Sequence, residues 1–149
     1  MGEHSWTVYH IGGKLPMGKL EELKEFAGDF EEGEDPKHGE VWCIMGQQNY
    51  GNHEELDEFL QKNGLTFHAA WAAVPGAFDS GARWWNPTMG EELGECSAND
   101  DGEPTISLSA MEFAQKQGRT LADIIAELAA QSSTVVPPLE LIEDMPVAA

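Results

Sequence analysis

The sequence is short of positive charge. Eight lysines and arginines stand against twenty-seven aspartates and glutamates over 149 residues, a formal net charge of −19. A field of that sign repels polyanions at a distance, so neither direct nucleic-acid binding nor attachment to an anionic membrane surface is expected. A basic protein or a nucleoprotein complex is the partner class that remains. Cysteine is scarce too. Cys43 and Cys96 make no disulfide framework, and the opening MGEHSWTVYH has neither the basic nor the apolar region of a secretion signal, so a cytoplasmic protein with free thiols is expected. No apolar run approaches the roughly 20 residues that cross a bilayer. No C-x-x-C or H-E-x-x-H spacing joins the five histidines and two cysteines into a ligand set, so no metal or cofactor is expected.

What is present suits a folded chain. The length is that of one domain, and five Trp and six Phe within 41% hydrophobic residues supply a core. WTVYHI, residues 6 to 11, reads as a strand ending at Gly12-Gly13. Met17, Leu20, Leu23 and Ala27 then recur at helical spacing opposite Glu21, Glu22 and Glu25. EVWCIMG, residues 40 to 46, reads as a second strand. Asn52 is the candidate N-cap of a second helix that buries Leu56, Phe59 and Leu60 and closes at Gly64. LTFHAAWAA, residues 65 to 73, reads as a third strand. EELKEF at 21 to 26 is matched by EELDEF at 54 to 59, the mark of a duplicated strand-helix unit.

Beyond residue 73 the signals are turns first and helices later. Gly, Pro, Asn and Asp crowd residues 74 to 104, a hairpin or long loop built around Phe78 and ARWW at 82 to 85. TISL, 105 to 108, offers one more strand. Ser109 with Glu112, and Thr120 with Asp123, form two capping boxes, which predict a pair of helices separated by Gly118. Pro137 and Pro138 forbid a helix at the end and predict an extended, partly docked tail. The expected architecture is α+β: a single domain over 1–134 with a mixed sheet of four to five strands, two acidic crossover helices and a C-terminal helical pair, then a tail over 135–149.

Three motif-like stretches fail on chemistry. Gly13 to Lys19 has P-loop spacing, and a nucleotide-dependent enzyme is the reading it would support, but Leu20 replaces the magnesium-holding hydroxyl and Pro16 removes a cradle amide. DFEEGEDPKHGE, 29 to 40, has calcium-loop end residues with its glycine one place early and Lys37 at a ligand position. MEFAQKQGRTLADIIAEL resembles a helix-turn-helix, yet its second helix would bring Asp123 and Glu127 to the DNA groove.

The remaining signal is where the acid sits. Thirteen carboxylates and two bases lie between Glu21 and Glu58. On a helix, carboxylates three or four residues apart are about 5–6 Å from each other, a spacing on the scale of nucleic-acid phosphates. The candidate partner-binding residues are Glu21, Glu22, Glu25, Asp29, Glu31, Glu32, Glu34, Asp35, Glu54, Glu55, Asp57 and Glu58. A second surface is also expected from Trp84 and Trp85, which with Trp71, Phe78 and Arg83 have the composition of a contact hot spot; on that reading the protein is an interaction adaptor.

In length, charge, acidic strand-helix layout and VPPLE tail, the chain resembles the small acidic proteins carried by phages, plasmids and integrated elements, among them anti-CRISPR and anti-restriction inhibitors that imitate DNA. The resemblance implies a stoichiometric inhibitor that blocks DNA or RNA access to a basic groove of a host defence complex and catalyses nothing.

Overall fold

The computed structural model describes residues 4–99, 101–131 and 135–143. Its central element is a long strand, His4–Pro16 (β1), from which Ser5, Thr7, Tyr9 and Ile11 turn to one face and are buried. Strands Trp42–Asn49 (β3) and Thr66–Trp71 (β4) flank it, both antiparallel, so that Tyr9 lies between Ile44 and Ala69. The sheet extends through Gly81–Trp85 (β5) to Gly94–Ser97 (β6) on one side and to the short Glu32–Gly33 (β2) on the other. Leu139–Ile142 (β7) pairs parallel with the end of β1. The sheet is thus largely antiparallel and has seven strands where four to five were expected. β2, β6 and β7 are too short to show a two-residue apolar alternation in sequence.

Two acidic helices cover the buried face, and both are the crossovers expected of them. Leu20–Ala27 (α1) carries the chain from β1 to β2, which runs parallel to β1 on the far side of β3. Glu54–Lys62 (α2) does the same from β3 to β4, which run parallel to each other on opposite sides of β1. Leu23 of α1 and Leu56 and Leu60 of α2 are fully buried with Tyr9, Ile11, Ile44 and Phe67. The helices meet through Phe26 and Phe59, ring centroids 5.4 Å apart. Those two phenylalanines hold the same place in EELKEF and EELDEF, as do Leu23 and Leu56, so the repeated hexapeptide is a repeated packing unit.

Local details depart from the sequence reading at three caps and strands. α2 is capped by His53 rather than Asn52; its Nδ1 accepts from the Leu56 amide at 3.1 Å. TISL is not a strand. Pro104 makes one isolated bridge to Ala98, and Ser107, not Ser109, caps Leu108–Lys116 (α3) by accepting from the Ala110 amide at 3.2 Å. Thr120 and Asp123 exchange side-chain-to-amide bonds of 2.9 and 3.2 Å and open Leu121–Gln131 (α4) as the capping box requires.

The opposite face of the sheet carries Val8, His10, Cys43, Met45, His68, Ala70 and Trp84, placed there by register with residues that alternate with the buried set. The 101–104 turn and α4 lie against it. A Cβ on Gly102 would sit 3.2 Å from Ala70 and His68, and Ile125 and Leu128 of α4 gather beside His68.

The tail is tied in at Gly12 and Gly13. A Cβ on Gly12 would fall 1.6 Å from the Pro137 carbonyl oxygen, so no other residue lets the chain pass there. The Gly13 amide donates to Pro138, Leu139 donates to Glu40, and the Leu139 side chain is fully buried. Residues 132–134 and 144–149, part of the expected joint and tail, lie outside the described residues.

Candidate functional site: an acidic ridge on two helices

Each acidic helix has one apolar stripe, and that stripe is spent on the sheet. Burying Leu23 leaves Glu21, Glu22 and Glu25 of α1 exposed; burying Leu56, Phe59 and Leu60 does the same for Glu54, Glu55 and Glu58 of α2. Because α1 and α2 lie side by side on the same face of the sheet, their outer faces turn the same way. The chain leaving α1 prolongs the acidic surface. Asp29, Glu31, Glu32, Glu34 and Asp35 are all exposed, and Asp29 reaches the cap of α2 through a 2.9 Å contact with His53 Nε2. His53 is in turn held between Phe26 and Phe30.

Eleven of the twelve candidate carboxylates are therefore exposed on adjoining elements. Lysines dilute the ridge only locally: Lys19 with Glu22 at 3.4 Å, Lys24 with Glu21 at 3.7 Å and Lys37 with Glu34 at 3.3 Å. Pairs this exposed are worth roughly 0–1 kcal/mol at best, so an incoming cation displaces them readily.

Asp57 does not belong to the ridge. It is 5% exposed and faces the sheet, where Arg83, 6% exposed, donates from Nε to its Oδ2 at 3.0 Å. Tyr9 donates to Oδ1 at 2.7 Å, Arg83 also contacts the Tyr9 hydroxyl, and its Nη1 donates to the Gly51 carbonyl at 2.7 Å. The guanidinium lies over the rings of Tyr9 and Trp71, 5.4 and 5.5 Å from their centroids. Burial pushes the Tyr9 hydroxyl far above its ordinary range, against the lowering effect of the Arg83 charge and with Asp57 adding to it. This network pins α2 to the sheet. The sequence carried two signs of it: Asp57 stands where the first hexapeptide has Lys24, and Arg83 stands inside the apolar run ARWW.

The tryptophan surface is corrected as well. Trp85 is buried and its Nε1 donates to the Gly90 carbonyl at 2.8 Å; Trp84 is half-buried and packs over Gly94, where a Cβ would come within 2.3 Å of its ring. Both are committed to the fold because β5 is an interior strand whose two faces are covered. An aromatic side chain that does reach water is Tyr50, exposed beside the ridge at the start of α2 and in contact with the half-buried Phe78, centroids 6.0 Å apart. Tyr50 holds a left-handed φ of 55°. No sequence pattern marks it.

The other motif-like stretches are occupied by secondary structure. Gly13–Pro16 belongs to β1 and pairs with β7, while Lys19 turns to Glu22. In the calcium-like stretch the Glu34 carbonyl accepts from Trp42 Nε1 at 2.7 Å, and no group of three metal-ligating side chains occurs among the described residues. Cys43 stands opposite His10 across the β1–β3 pair. Burial pushes its thiol up, and burial with the charge of Glu95 does so for Cys96, the reverse of what activates a nucleophile. No helix among the described residues is long and apolar enough to cross a membrane.

No family model, curated protein or solved structure matches the chain.

Proposed function

We propose that this protein is a stoichiometric inhibitor that binds a basic protein surface through the α1/α2 ridge and there takes the place of DNA or RNA. The observation that carries the reading is the exposure of eleven carboxylates on two packed helices and the segment that joins them. Six of these charges are fixed on the helices, Glu21, Glu22 and Glu25 on α1 and Glu54, Glu55 and Glu58 on α2, so for them little backbone ordering remains to oppose binding, as it would for a disordered acidic tail. A groove built to neutralise phosphates offers the matching array of lysines and arginines, and complementary fields of that size speed association as well as favour it. The resemblance to mobile-element inhibitors makes the partner a host defence complex, a CRISPR effector or a restriction enzyme.

The test is capture of the partner on the immobilised protein from a host that carries such systems, followed by elution with duplex DNA or guide-length RNA. Nucleic acid releases a nuclease or effector complex if the two compete for one groove. A captured partner that binds nucleic acid and this protein simultaneously defeats the proposal.

A further inference from the structure

The side of the molecule turned away from the ridge has a different chemistry. There α3 and α4 expose Leu108 at 72%, Leu121 at 63%, Phe113 at 61% and Ile125 at 57%. Among the described side chains of the two helices only Ala114 and Ile124 are buried. Between the helices lies a groove of about 410 Å³ lined by Leu108, Met111, Leu121 and Ile124, with Glu112 and Arg119 beside them. Leu108 and Leu121 stand on the groove itself, whereas Phe113, five residues and so about 140° round α3 from Leu108, and Ile125, beside His68, lie off it; exposed large apolar side chains gathered at a groove mark an interaction surface.

Charge decides what fits. Residues 108 to 131 hold three acids, Glu112, Asp123 and Glu127, and two bases, Lys116 and Arg119; the other −18 of net charge lies elsewhere in the chain. A basic partner is drawn to the opposite side of the sheet. A second copy of this chain is repelled almost everywhere, but here it meets a nearly balanced surface with both signs present. Helix, sheet and helix layers stack at about 10 Å each, so pairing hairpin to hairpin holds the two acidic ridges roughly 50 Å apart. That is several Debye lengths at physiological salt, where the screening distance is about 8 Å.

We propose that the α3/α4 groove is a two-fold homodimer interface, in which each hairpin presents the same apolar surface to the other. The dimer displays its two ridges outward at opposite ends.

Sedimentation velocity on the full chain tests this from about 1 to about 100 µM protein and about 0.05 to about 0.5 M NaCl. A concentration-dependent monomer–dimer equilibrium that tightens with salt is expected, because screening removes the residual repulsion between like-charged copies. Leu108→Lys with Leu121→Lys weakens it roughly hundredfold or more while the thermal melt stays that of the parent. Should that pair also lower the melt, Leu121→Gln alone weakens association roughly tenfold without adding charge. A parent that sediments as a monomer throughout, leaving the groove to some other protein, overturns the proposal; so does a dimer indifferent to both variants. The outcome is separate from that of the ridge: Glu25, Glu32, Glu55 and Glu58 changed to Lys leave the dimer intact whether or not they abolish partner binding.

Discussion

Replacing Asp57 by alanine removes the counter-charge of an arginine that is 6% exposed. Arg83 keeps its bond to the Gly51 carbonyl but loses the carboxylate at 3.0 Å, and Tyr9 loses its acceptor at 2.7 Å. Stranding a buried charge in this way costs about 3–5 kcal/mol, against a total stability of roughly 5–15 kcal/mol for a domain. Asp57→Ala is therefore expected to lower the midpoint of thermal unfolding by roughly 9–15 °C, at about 3 °C per kcal/mol for a chain of this length. The matching double variant, Asp57→Leu with Arg83→Met, replaces the pair by apolar side chains of similar volume and recovers most of that loss. Circular dichroism melts and urea titrations of the parent, Asp57→Leu, Arg83→Met and their double variant measure the coupling. If Asp57→Ala costs under about 1 kcal/mol, or if the two single losses simply add, then Arg83 finds adequate solvation elsewhere and the network does not pin α2.

Three further outcomes follow from the structure. Gly12→Ala sets a methyl group against the Pro137 carbonyl, so the amides of β7 exchange faster in hydrogen–deuterium exchange while those of β3 and β4 keep their protection; uniform protection would show that the tail has room. Burial lowers the pKa of His10 and, with the nearby charge of His10, that of His68. The unfolded chain then binds more protons than the folded one, so stability is full above the ordinary histidine pKa of about 6.5 and falls as pH drops through the folded values. His68→Gln flattens that fall, and a stability that rises on acidification from pH about 7 to 5 contradicts it. Cys43 and Cys96, both with raised thiol pKa, react with iodoacetamide at pH about 7.5 more slowly than free cysteine does.

The strand-helix-strand order was legible because each early element pairs one apolar stripe with one polar face, and the repeated hexapeptide even placed Phe26 and Phe59 equivalently. The crossovers that this order implies are both present, but the strand order was not legible: β2, where α1 delivers the chain, is only Glu32–Gly33, too short to read, and it is what lets β3 return antiparallel between β1 and β2. The ridge was legible to the extent that acids at helical spacing opposite leucines must face water. Asp57 escaped because its charge reads like its neighbours' until Arg83 is seen facing it across α2 and β5. Trp84 and Trp85 misled for the converse reason: large aromatics among glycines read as an exposed loop, whereas Gly94 is the gap into which Trp84 packs. His53 took the cap from Asn52 because its ring nitrogen reaches the Leu56 amide while its other nitrogen meets Asp29.

The central claim is that the α1/α2 carboxylates make the contact with a cationic partner. It is tested most directly by the affinity of the captured partner as a function of salt, for the parent and for a chain carrying Glu25, Glu32, Glu55 and Glu58 as Lys, all exposed and outside the lysine pairs. The parent's log affinity should fall steeply with log salt, and the four reversals should weaken binding roughly hundredfold at low salt and flatten the slope. Affinity that ignores both salt and the reversals would place the contact elsewhere on the molecule.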